Sequence, residues 1–143
     1  MSEMLPVPRS KRTPGITGTV AGVLVLGLLS LVGCAPAGTG AAEAASSFRE
    51  EIASGNTAAA CAMLGQDALE KAGGETGCEE QLESLDLGDS SAPGRTEIYG
   101  RNAIVEYEND AVFLNSSGSG WKISAAGCTP QGEQPYKCEV GGK

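Results

Sequence analysis

Histidine is missing from all 143 residues, which removes the side chain best suited to proton transfer near neutral pH. A histidine-dependent Ser or Cys nucleophile is therefore excluded. Five cysteines are present but no C-x-x-C pair, so zinc geometry has little to build on. Basic residues are scarce: ten Lys and Arg against eighteen Asp and Glu give a net charge of −8. Such a surface repels nucleic acid and carries no footprint for a phosphate backbone. Its plainest use is solubility. Aromatic residues are 4% of the chain; Tyr99, Tyr107, Phe113 and Trp121 are nearly all of them, and they are candidates to line a pocket although such residues more often form core. No D-x-D-x-D-G calcium loop occurs. The acidic groups Glu79, Glu80, Glu83 and Glu106, Glu108, Asp110 read as solvated surface, with Asn109 and Asp110 forming a hairpin turn.

What is present begins with a strongly ordered leader. Arg9, Lys11 and Arg12 precede a stretch, residues 13–42, without a single charge. Within it ITGTVAGVLVLGLLSL has the length of a signal h-region, only slightly short of the roughly 20 residues that span a bilayer. The ending separates the two. Leu31, Val32 and Gly33 run directly into Cys34, which resembles the lipobox of bacterial lipoproteins. That resemblance implies a diacylglyceryl group on the Cys34 thiol and cleavage just before it, hence a protein on the extracytoplasmic face of the cell membrane. The expected organisation is a signal peptide over residues 1–33, a flexible tether over residues 34–42 (small residues without periodicity), and one domain over residues 43–143. Removal of residues 1–33 leaves 110 residues carrying seven basic and seventeen acidic side chains, a charge of −10. A covalent diacylglycerol holds such a domain without help from a basic patch.

Export makes the remaining cysteines intelligible. Cys61, Cys78, Cys128 and Cys138 are an even set in a small exported domain, where bridges form and persist. Four cysteines allow three pairings, and sequence alone does not choose among them. Locality favours Cys61 with Cys78 and Cys128 with Cys138, because each pair closes a short segment rich in Gly and Pro.

The domain changes period half way. Ala41, Ala45, Phe48 and Ile52 fall at helical steps, with Arg49, Glu50 and Glu51 assigned to the other side, and Gly55 ends the run. Asn56 or Thr57 opens a second, alanine-rich helix. Gly65 interrupts it before QDALEKA, and a further helix is expected near Cys78 with Leu82 and Leu85 as its apolar edge. Beyond it RTEIYG, NAIVEY, AVFLNS and WKISAA read as an antiparallel meander, with Trp121, Ile123 and Ala125 sharing one face and a last strand near Tyr136. Helices first and sheet second define an α+β fold. SFREEIASGNTAAACAML, the cysteine that opens CEEQLESL, the strand GWKISAAGC and the closing PYKCEVGG together resemble small bacterial lipoproteins with a nuclear-transport-factor-2-like domain. The resemblance implies N-terminal helices packed on a curved, cone-like antiparallel sheet, with a cavity between them.

Three functions compete on such a scaffold. The first is a noncatalytic module that binds a small apolar ligand or an envelope protein partner. The second is a structural surface lipoprotein, and the third an isomerase or dehydratase of the cone-fold kind. No catalytic residue, metal ligand or cofactor site is assigned. The enzyme reading needs Asp86 or Glu97 to point inward beside Tyr99 or Tyr107. An open pocket lined by Trp121 or Tyr107 favours ligand binding, and a filled core favours partner or structural work.

Overall fold

The computed structural model describes residues 37–87 and 92–142. The signal peptide and Cys34 lie outside the described residues. No described helix is long and apolar enough to cross a membrane.

Four helices come first: α1 (Ala37–Ala53), α2 (Thr57–Met63), α3 (Gln66–Lys71) and α4 (Gly74–Glu83). Six strands follow: β1 (Thr96–Tyr99), β2 (Asn102–Glu106), β3 (Ala111–Ser117), β4 (Gly120–Gln131), β5 (Gln134–Lys137) and β6 (Val140–Gly141). All pair antiparallel in the order β1-β2-β3-β4-β5, with β6 added to β4. The α+β class and the meander follow from the change of period at residue 95 or so, where helical spacing gives way to short β-branched runs.

Two boundaries differ from expectation. Residues 37–42, read as tether, form the first turns of α1, and Ala41 is fully buried with Ala45 and Phe48. Small residues that look like linker in sequence are here what lets a helix lie close against the sheet, with Gly40 so near Trp121 that a methyl group there would sit 3.3 Å from the indole. α4 starts at Gly74, a turn before Cys78, because the positive φ of Gly73 closes the preceding turn. Asn56 occupies the N-cap of α2 but makes no capping hydrogen bond through its side chain.

α1, backed by α2 and α4, covers one face of the sheet, called inner here, while α3 packs against β4 and β6. Phe48, Leu82, Val105, Val112, Leu114, Ile123 and Val140 are each fully buried and belong to one cluster with Ala41, Ala45, Cys61 and Cys78. At roughly 1.5–3 kcal/mol for each large apolar side chain, this cluster is the main source of stability. The Cys61–Cys78 bridge joins α2 to α4 inside it, and the Cys128–Cys138 bridge ties the segment after β5 back to β4. Both bridges are the local pairs that locality favoured. Strand alternation sends Ile104, Phe113, Ala111 and Ala125 to the opposite, outer face, where they pack with Cys128 and Cys138.

Ala125 departs from the clean alternation expected of WKISAA. Leu114 pairs with Ile123 while its neighbour Phe113 pairs with Ala125, so Ser124 is the extra residue of a β-bulge. One inserted residue reverses the facing of the residues that follow it, until a second register shift opposite Ala111–Phe113 brings Cys128 to the outer side with Ala125. Ile123 and Trp121 thus pack with the inner cluster, and Ala125 with the outer one. Closing this corner requires glycine at 141, whose φ is +67° and where any side chain would collide with the Ser124 carbonyl oxygen.

Candidate functional site

The four aromatic residues proposed to line a pocket do not meet. Tyr107 and Trp121 belong to the inner side and Tyr99 and Phe113 to the outer. On the inner side both residues are enclosed by packing. Trp121 packs on the buried cluster beside Gly40, and Tyr107 is sealed beneath a buried cation.

That cation is Arg49, which is only 5% exposed despite being assigned to the solvent side of α1. It follows Ala45 by four residues and therefore lies on the same helical stripe. Its Nη1 donates to both carboxylate oxygens of Asp110 at 2.8 and 2.9 Å, its Nη2 donates to the Leu87 carbonyl, and its guanidinium carbon lies 4.1 Å from the centre of the Tyr107 ring. Asp110, read as a surface turn residue, is thus a largely enclosed anchor, its side chain 10% exposed. The turn itself is as expected, with the Tyr107 amide donating to the Asp110 carbonyl. Hydroxyl to hydroxyl, Tyr107 and Ser46 are 3.3 Å apart. Burial raises the Tyr107 phenol above its ordinary value of 10.0, while the Ser46 hydrogen bond and the Arg49 charge pull it back. This constellation clamps the β2–β3 hairpin to α1 and to the chain at Leu87.

The carboxylates on which the enzyme reading depended do not point inward. Asp86 is exposed. Glu97 does lie beside Tyr99, whose hydroxyl donates to it, and it pairs with Arg95, but Tyr99 is 61% exposed at the sheet edge. The hydrogen bond to Glu97 is the main reason the Tyr99 phenol titrates above 10.0. Glu79, Glu80 and Glu83 are exposed along α4, and among the described residues no three of Cys, Asp and Glu form a ligand set for a metal.

The outer face carries an open feature. A cleft of about 760 Å³ lies there, within the size range of small-molecule sites. Phe113 and Ala125 contribute to it from the sheet, Pro135 and Tyr136 from β5, and Ala68 and Lys71 from α3. The rings of Phe113 and Tyr136 meet edge to face, 5.2 Å between centres at 77°. Asn102, Asn115 and Ser124 add polar groups. Every residue of β5 is exposed, and the strand is held by its ladder to β4 and by the Cys128–Cys138 bridge. α3 is fixed opposite through Lys71, whose ammonium donates to the Gly142 carbonyl. Tyr136 was not among the expected pocket residues. The signal available for it was its place two residues before Cys138 and directly after Pro135, in a segment that the bridge had to fold back onto the sheet. Phe113 is therefore the one expected pocket residue that lines this cleft.

No family model, no curated protein and no solved structure matches this chain. The site has to be interpreted from its own chemistry.

Proposed function

We propose that this protein is a lipid-anchored, extracytoplasmic binding module, a lipoprotein with a nuclear-transport-factor-2-like α+β domain, whose outer cleft holds a small ligand with apolar surface. The leader supports the anchoring: a cationic start, an uncharged apolar run and L-V-G-C in sequence. The arrangement of helices before an antiparallel sheet supports the domain type. In this reading the usual cavity between helices and sheet has been filled by Phe48, Leu82 and Leu114, and binding has moved to the other side. The single observation that carries the binding role is the cleft itself, an open apolar surface framed by Phe113 and Tyr136 and built by a disulfide rather than by the core. Apolar surface left open at that cost in water contact marks a site of binding.

Two measurements test it separately. In a bacterial host the protein takes up an alkyne fatty acid and partitions into detergent, and Cys34→Ala abolishes the label. Label that persists in that variant removes the anchor. The neutral dye Nile red, which brightens on apolar surfaces, gains fluorescence with the native protein and loses most of that gain in Phe113→Ser and Tyr136→Ser. A gain that survives both changes places the binding surface elsewhere.

A further inference from the structure

Apolar surface is only half of the cleft. Asn102 and Asn115 are directly opposed across β2 and β3, both are exposed, and each amide offers one acceptor and two donors. Ser124 adds a hydroxyl from the bulge. Among the described residues none of these three side chains has a hydrogen-bonding partner within the protein. A purely apolar ligand would strip water from them and return nothing, at roughly 1–3 kcal/mol for each group left unpaired. An anion is no better served. Lys71, the one cation among the described lining residues, already donates to Gly142, and Asp67 lines the same cleft.

From this we infer that the ligand is a neutral saccharide, a conclusion that rests on the outer cleft being the binding site. A pyranose ring presents an apolar face of C–H groups to an aromatic ring, and its hydroxyls donate and accept around the edge. Tyr136 and Phe113 match the first, and Asn102, Asn115 and Ser124 the second. The register extends the site. Tyr99 is opposite Asn102, which is opposite Asn115, so the three form a row across the outer face. Two strand spacings, about 10 Å, separate the ends of that row, a distance that one sugar unit does not cover and a short oligosaccharide does. With its hydroxyl held by Glu97, the exposed Tyr99 ring serves as a second platform.

The test titrates the purified protein with three neutral tetramers: β-1,4-linked glucose, α-1,4-linked glucose and β-1,4-linked N-acetylglucosamine. At least one binds, and it moves the side-chain amide resonances of Asn102 and Asn115. Asn115→Ala and Tyr136→Ala each weaken that tetramer about tenfold. Tyr99→Ala weakens the tetramer and leaves the corresponding dimer unchanged, a difference that a merely structural role would not produce. All three positions are exposed, so the variants keep the native unfolding midpoint. If no tetramer binds while Nile red still depends on Phe113, the saccharide is wrong and the cleft stands. If neither probe binds, both fall. Tetramer binding that Asn115→Ala and Tyr136→Ala leave intact also overturns the inference.

Discussion

The two faces of one sheet are built by opposite rules. Adjacent residues of β3 show it: Leu114 is fully buried against the helices, while Phe113 is half-buried at the edge of a cleft. On the inner face large apolar side chains are fully buried, and even the charged group, Arg49, is enclosed and paired with Asp110. On the outer face the cluster is small, the side chains of Asn102, Asn115 and Ser124 are uncommitted, and a strand with no buried residue forms one wall. Each face has its own disulfide. The inner bridge sits among core residues, whereas the outer one holds the wall of an opening. A small domain can keep an open apolar site when the other side of its sheet supplies the stability.

That division can be broken at its strongest point first. Asp110→Ala leaves Arg49 buried without its anion, which costs about 3–5 kcal/mol, and urea unfolding should show a loss of that size. A loss under about 1 kcal/mol would mean that the pair behaves as an ordinary surface bridge. Next come the disulfides. Replacing Cys61 and Cys78 by serine should lower global stability by about 3 kcal/mol for a separation of 17 residues, with Nile red binding intact where the protein is folded. Replacing Cys128 and Cys138 should cost a similar amount and remove the dye signal. If the two double variants lose the dye equally, the faces are not independent.

β3 sharpens the comparison at single-residue resolution. Leu114→Ala should cost roughly 2–5 kcal/mol and leave dye affinity alone, whereas Phe113→Ala should cost less, because its ring is already part-exposed, and remove the dye. The smallest effect is at high pH. Tyr107 has its pKa raised above 10.0 in the folded state, chiefly by burial. The stability it contributes is therefore complete below 10 and is lost as pH rises through the folded value. Tyr107→Phe should flatten that alkaline decline. An ultraviolet titration showing Tyr107 ionising at or below 10 would contradict its enclosure.

Sequence carried the local features well. The α1 stripe, the strand runs and both bridges are set by spacing within about twenty residues, and these are the features read correctly. What it hid depends on distance or on a single insertion. Arg49 looked like one more charge beside Glu50 and Glu51, since the carboxylate that enables its burial is 61 residues away. The Ser124 bulge turns Ala125 over without altering the apparent alternation of WKISAA. The cleft needs β5, α3 and the outer row of β2 and β3 together, and no segment alone announces it. Residues 37–42 lack large side chains, and that made them resemble a linker when their smallness serves close packing.

The most direct check on the account is an amide chemical-shift map of the protein titrated with 1-octanol, read for which face of the sheet responds. The predicted result is a contiguous set of shifts at Asn102, Phe113, Ser124 and Tyr136, with Tyr107 and Trp121 unmoved. Shifts centred on Tyr107 and Trp121, with the outer residues silent, would show that the space between helices and sheet opens after all and that binding belongs there.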